Sequence, residues 1–393
     1  MARRSGLLFS GLDVGASKTS AVIVGFRQST FRILGAGQSM TTGLEKGSIT
    51  DAGALTSAIR QAFEQAEKAA ATKAPPVFVG YDRVRAAVRE GRVISGPGRR
   101  SRDPVFEGIP HGERILWILP AAQPAVSLQP DGANEARAVT ADAGEVDRFL
   151  SCVKKAGLTV KEIVYTPLAG AAALLSHAEK ELGTILMDIG AGKTSVSLFS
   201  RGTLKDTVVL PLCSEHIVGD LAVGLRTTMG EARTVLKDFG DLSGAGEREG
   251  RKVALAGLEQ NEMKEVAIEL VDTIIRARVQ EMADIAAKLF DHFGCSDFLP
   301  GGVVLTGGGA QLAGLAGWME KRLNIVVKVG ELEVNDAVIP ISHYNAVGLV
   351  KFGLSRLFPA GKKRSDESFA GFFSRFKNRA GNKLESSLRF FTE

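Results

Sequence analysis

The sequence predicts an α/β protein of two or more domains with a duplicated architecture, and three observations carry that prediction. At 393 residues the chain exceeds what one hydrophobic core usually serves, and its 45% hydrophobic content can fill more than one. A strand–glycine turn–strand motif occurs twice, half a chain apart. Further on, a buried-strand pattern over 303–305 runs into Gly307, Gly308 and Gly309 and then a helical stretch, a join that suits close packing and equally lets backbone approach a flat or anionic ligand.

The repeat is close. LDVGASKTSAVIV (12–24) and MDIGAGKTSVSLF (187–199) place Asp13, Gly15, Ala16, Lys18, Thr19 and Ser20 against Asp188, Gly190, Ala191, Lys193, Thr194 and Ser195, 175 positions later. Such internal self-similarity marks duplicated architecture. In each copy a β-rich run enters the turn (6–12; 184–187) and another leaves it (20–24; 196–199). A hairpin of small residues ending in Ser or Thr aims several backbone N–H groups one way, a nest suited to phosphate oxygens. The Asp cannot bind phosphate; it suits a hydrated Mg²⁺. Neither turn is a Walker loop, because the glycine spacing before each Lys is wrong and a strand follows.

The remaining elements fall around these turns. Residues 54–70 read as an amphipathic helix that Pro75 and Pro76 break, and 77–79 begin a strand. From 83 to about 140 the pattern becomes irregular, as in a small inserted subdomain with a solvated Arg99, Arg100 and Arg102 loop. Residues 143–156 predict a helix, 163–165 a strand and 168–177 an alanine-rich helix. Beyond the second turn, 215–229 and 231–239 are expected to be helical, 240–250 a polar loop, 263–293 one long helix, and 311–323 a helix after the triple glycine.

Composition narrows the function classes. A formal charge of +5, scattered among 24% charged residues, argues against a nucleic-acid binder. Cys152, Cys213 and Cys295 are odd in number and far apart, which predicts neither a disulfide frame nor a zinc site and fits a reducing cytosol. The five histidines show no ligand spacing. The first apolar run is too short for a signal-peptide core, and no stretch approaches the roughly 20 apolar residues of a membrane span.

Two Asp-bearing turns followed by the glycine loop, in this order, resemble the actin, chaperone and sugar-kinase superfamily. Within it the chain is similar to the FtsA family of bacterial cell-division proteins, through MTTGLEKGSITD (40–51), TPLAGAAALL (166–175), ELGTILMDIGAGKT (181–194), IIRARVQEM (274–282), VVLTGGGAQLAGL (303–315) and NAVGLVKFG (345–353). The resemblance implies an actin-like ATPase fold, two lobes each on a mixed ribonuclease H-like sheet, with ATP and Mg²⁺ between them. Carried over, the first lobe spans 1–82 and 141–180, an FtsA-type insertion 83–140, and the second lobe 181–358. Asp13, Gly15, Ala16, Ser17 and Lys18 would form the first phosphate loop, and Asp188, Gly190, Ala191, Gly192, Lys193 and Thr194 the second. Gly307, Gly308, Gly309 and Gln311 would flank the adenosine, and Asp13 and Asp188 would hold Mg²⁺ through water. Three departures stand out: Ser195 where many relatives carry Asp, which puts hydrolysis in doubt; Arg233 after Ala232 where Ala-Glu is frequent; and a shorter insertion, the part that contacts neighbours in FtsA filaments.

After a polar linker (359–368), Phe369, Phe373, Phe376, Leu384, Leu388 and Phe391 fall at helical spacing, with Phe372 beside them. Arg375, Lys377, Arg379, Lys383 and Arg389 line the other side. Between 361 and 393 there are eight basic residues against four acidic. A helix over 369–393 that is aromatic on one side and basic on the other suits the interface of an anionic bilayer. FtsA proteins resemble this in ending with such a helix. The expected function is therefore an ATP-binding scaffold, at most a weak ATPase, that polymerises and tethers the tubulin-like protein FtsZ, with further division-site proteins, to the cytoplasmic face of the membrane. A phosphotransferase of the same superfamily and the pilus-assembly scaffold PilM are the alternatives.

Overall fold

The computed structural model describes residues 7–27, 30–45, 47–83, 87–94, 105–119, 133–244, 250–259, 263–296 and 298–358. One unit extends to Phe352, and a second begins at Gly353. The tail residues 359–393, including every side chain assigned above to membrane contact, and the Arg99, Arg100 and Arg102 run lie outside the described residues.

In the first lobe, β1 (Leu7–Val14), β2 (Lys18–Arg27) and β3 (Thr30–Met40) form an antiparallel meander, followed by α1 (Ala52–Ala70) and β4 (Val77–Tyr81). Asp51 caps α1, its carboxylate accepting from the Gly53 and Ala54 N–H groups at 2.8 and 2.9 Å, which satisfies two donors that the first helical turn leaves orphaned. A second sheet follows, made of β5 (Ala87–Ile94), β6 (Val105–Glu107), β7 (Glu113–Leu119) and β8 (Ala133–Asp142) in the order β6-β5-β8-β7. The residues between 83 and 140 that the sequence pattern leaves irregular form, where described, these four antiparallel strands. Then come α2 (Ala143–Lys155), β9 (Val160–Tyr165), α3 (Thr166–Leu174) and α4 (His177–Leu182).

The second lobe repeats the plan with β10 (Thr184–Ile189), β11 (Thr194–Ser200) and β12 (Thr203–Leu210), then α5 (Ser214–Gly224), α6 (Met229–Phe239), the β13 (Lys252–Ala256) and β14 (Met263–Ala267) hairpin, and α7 (Ile268–His292). It closes with β15 (Val303–Thr306), a 3₁₀ turn at Gly308–Gln311, α8 (Leu315–Leu323), β16 (Val327–Val329) and α9 (Tyr344–Leu357). The two main sheets share one topology, β9-β4-β1-β2-β3 and β12-β11-β10-β15-β16, each an antiparallel meander with two parallel strands beyond its first strand. The duplication legible in the two turns thus extends to whole sheets. Each sheet buries one side of its meander on its own helices: Leu12, Ile23 and Val79 against Ile59 and Phe63, and Ile185, Met187 and Val196 against Ile275 and Val279.

The helices expected over 168–177 and 215–229 end sooner, at Leu174 and Gly224, and two others change more. Residues 263–293 are not one helix, since Met263–Ala267 pair with Lys252–Ala256 before α7 begins; the Met-Lys-Glu-rich composition favours helix, but the facing strand supplies a ladder that overrides propensity. The helix expected from 311 begins at Leu315, after the 3₁₀ turn.

Candidate functional site

The twin turns are congruent. In each, the glycine N–H donates to the lysine carbonyl at 2.9 Å, Gly15 to Lys18 and Gly190 to Lys193. Across the ladders Asp13 stands opposite Ser20, and Asp188 opposite Ser195. Neighbouring elements tie down each turn differently. The Thr41 N–H donates to the Ser17 carbonyl at 3.0 Å, with the Thr19 and Thr41 hydroxyls 2.9 Å apart. The N-terminus of α5 holds the other, the Ser214 N–H donating to the Gly190 carbonyl at 3.0 Å. The turns meet tip to tip: a Cβ on Gly192 would lie 2.6 Å from that of Ala16, closer than two carbons pack.

Behind the tips the two aspartates converge on one side chain. Asn345 Nδ2 donates to Asp13 Oδ2 at 3.4 Å and to Asp188 Oδ2 at 3.2 Å. The start of α9 reaches this spot because it is wedged between backbones: a Cβ on Gly11 would sit 2.1 Å from the Ala346 carbonyl oxygen, and one on Gly348 2.0 Å from that of Ala169. Burial pushes Asp188 up to about 6, the Asn345 hydrogen bond opposing and the Asp13 charge adding to the rise. Burial also raises Asp13, against the pull of Lys193, Asn345 and Arg83. Lys193 crosses from the second lobe to the first, donating to the Asp82 carbonyl at 2.5 Å and ion-pairing with the Asp82 carboxylate. Burial brings its ammonium down to about 7 despite Asp13. Arg83 lies over the rings of Tyr81 and Phe149 at 5.6 and 5.1 Å, a cation held by aromatic faces.

A cavity of about 1050 Å³ opens in front of the turns, lined by Ala16, Ser17, Lys18, Ala191 and Gly192, by Gln38 to Thr41, by Pro211, Cys213, Glu215 and His216, and by Arg233. The glycine loop is placed otherwise. Gly307 and Gly309 press on β10, where added Cβ atoms would strike Asp188 Oδ1 at 2.3 Å and Ile189 Cγ2 at 2.4 Å; Gly308 faces open space, and Gln311 is exposed. Glycine at 307 and 309 is thus required by packing beside the second aspartate, and none of the four lines the cavity. The Thr194 hydroxyl is buried with no hydrogen-bond partner among the described residues.

Asn345, Asp82 and Arg83 escaped the sequence reading. Asn345 opens NAVGLVKFG (345–353), yet nothing in its spacing marks an amide that reaches two strands 157 and 332 residues away. The dipeptide Asp82-Arg83 after a strand carried no signal of its own.

Paired lobes of one topology, each bringing an Asp-bearing hairpin to a shared cleft, define the actin-like class of proteins, and this chain has that fold. Solved structures agree: a chain of the PilM–PilN type IV pilus biogenesis complex superposes with a TM-score of 0.64 at 19% identity, covering 88% of this chain and 97% of that one. MreB5 of Spiroplasma citri bound to ADP superposes with a TM-score of 0.56 at 14% identity, covering 89% and 96%. At sequence level the model of cell division protein FtsA matches residues 185–348. Cell division protein FtsA of Bacillus subtilis strain 168 is 30% identical over 383 residues, 91% of this chain and 86% of the relative. That of Pseudomonas aeruginosa is 26% identical over 384 residues, 90% and 91%, and that of Escherichia coli K12 24% over 381, 88% and 90%. The chain belongs to the FtsA family of cell-division proteins.

Proposed function

We propose that this chain binds ATP with Mg²⁺ in the cleft, assembles with copies of itself, and tethers FtsZ polymers to the cytoplasmic face of the membrane at the division site through its C-terminal helix. The observation that carries the nucleotide half is the convergence of Asp13 and Asp188 on the single amide of Asn345. Two facing carboxylates in a poorly solvated cleft are costly unless a cation or donors compensate them.

The residues present fit the metal and the phosphates. Mg²⁺ takes one or two carboxylates and completes its shell with water and phosphate oxygens, and no cluster of three or more His, Cys, Asp or Glu ligands occurs among the described residues. Asp13 and Asp188 would hold the ion through water, and when bound it would neutralise phosphate charge. The N–H groups of 16–18 and 191–193 would face the phosphate oxygens, those of Gly15 and Gly190 being engaged within the turns, and the orphan Thr194 hydroxyl and the Lys193 ammonium would supply further donors. Lys193 would exchange its Asp82 contact for phosphate, so the same side chain latches the lobes before binding and grips the ligand after it. Ser195 is buried opposite Asp188 and offers no carboxylate to orient an attacking water, which supports binding with slow turnover.

Tethering rests on the pattern over 369–393. Burying each Phe contributes roughly 1.5–3 kcal/mol and each Lys or Arg at an anionic surface about 1 kcal/mol, against the cost of ordering the segment. Single-chain attachment is then reversible, and polymerisation multiplies it by avidity. Among the described residues no helix is long and apolar enough to cross a membrane. The test is co-sedimentation of the full chain with anionic vesicles, with and without Mg-ATP and FtsZ. The full chain should pellet and bring FtsZ with it, whereas a truncation after Phe358 should stay in the supernatant; a truncation that still pellets ends the tethering reading.

A further inference from the structure

Building on the reading of the cleft as an ATP site, we infer that Glu215, held by Arg233, is the sugar-reading group of this chain: its carboxylate accepts hydrogen bonds from the ribose hydroxyls of the bound nucleotide, and Arg233 positions it. The cavity that takes in the tips of both phosphate-type turns also takes in Glu215 and Arg233. At about 1050 Å³ it matches or exceeds pockets that enclose whole drug-sized ligands, and a triphosphate alone would leave much of it empty. The turn end is built of small residues and N–H donors, suited to anions. Glu215 instead offers an acceptor, which disfavours phosphate and favours neutral hydroxyl donors.

The carboxylate is also pre-set. Arg233 Nε donates to Glu215 Oε1 at 3.2 Å and Nη2 to Oε2 at 2.7 Å, the two-pronged arrangement that fixes a carboxylate in plane while leaving each oxygen a free lone pair. Both side chains remain partly open, Glu215 at 34% and Arg233 at 55%, so a ligand can reach them. The other carboxylate of that neighbourhood, Glu231, accepts from the Ala256 N–H at 3.2 Å and does not line the cavity. Glu215 on α5 and Arg233 on α6 thus meet as a pair at the cavity wall.

The experiment is calorimetry on the intact chain with Mg-ATP, Mg-2′-deoxy-ATP and Mg-tripolyphosphate, for the wild type, Glu215→Gln and Arg233→Ala, with melting temperatures confirming the fold. The wild type should bind ATP at least about fivefold more tightly than the deoxy analogue. Glu215→Gln should erase that ratio while leaving tripolyphosphate affinity unchanged, and Arg233→Ala should reduce the ratio less. A wild type indifferent to the 2′-hydroxyl, or a Glu215→Gln that keeps the ratio or loses tripolyphosphate in equal measure, overturns the assignment while the ATP reading stands. Absence of binding by all three ligands overturns both.

Discussion

The first and second hairpins share sequence, turn geometry and an aspartate at the same rung, yet their lysines have opposite fates. Lys18 is exposed at the cavity rim, whereas Lys193 is drawn into the first lobe, paired with Asp82, and brought down to about 7. The same asymmetry separates Ser17, exposed, from its counterpart Gly192, against which Ala16 is packed. A local code repeated in the chain therefore writes the same backbone twice, and the opposing lobe decides what each side chain does.

The sharpest way to break the comparison is at its tips. Gly192→Val would drive the turns apart and should weaken Mg-ATP binding by roughly a hundredfold, about 2.8 kcal/mol, while Ser17→Val, at the matching position, should change it by less than about threefold; calorimetry on both variants decides. The lysines come next. Lys193→Met should cost about tenfold in affinity and Lys18→Met only about twofold. Removing the ammonium also leaves Asp82 a buried carboxylate without its partner, so only Lys193→Met should lower the melting temperature of the ligand-free chain.

The smallest effect is in pH. Asp188 is raised to about 6, so the native state holds its proton more tightly than the unfolded chain; the associated stability is present below pH 3.8 and lost as pH rises through 6. Lys193 is lowered to about 7, so its contribution is present above 10.5 and lost as pH falls through 7. Metal and phosphate need the ionised forms, and affinity should therefore climb through pH 6 and decline above 7, with at most about a tenfold change per pH unit on each limb. Asp188→Asn should flatten the acid limb and Lys193→Met the alkaline limb. Taking ratios to the wild type at each pH cancels the nucleotide's own titration, and limbs that survive both substitutions refute these origins.

Much of this protein could be read from its residues. The Asp-x-Gly-Ala repeat, the helix α1, and β15 entering the triple glycine are local patterns, because periodicity and turn chemistry are set by neighbours a few positions away. The strands over 83–142 and the β13–β14 hairpin were less legible, since ladder partners override helical or mixed composition.

What the sequence by itself determined is the duplicated hairpin and hence the pair of carboxylates, one per lobe. Only the tertiary structure decided that they meet at Asn345, that Lys193 reaches Asp82, that Gly307 and Gly309 serve packing beside Asp188, and that Glu215 faces the cavity beside Arg233. Each of those contacts joins residues brought together by sheet topology and close backbone approach. Their energies depend on burial and on partners distant in the chain, and no local window of residues encodes them.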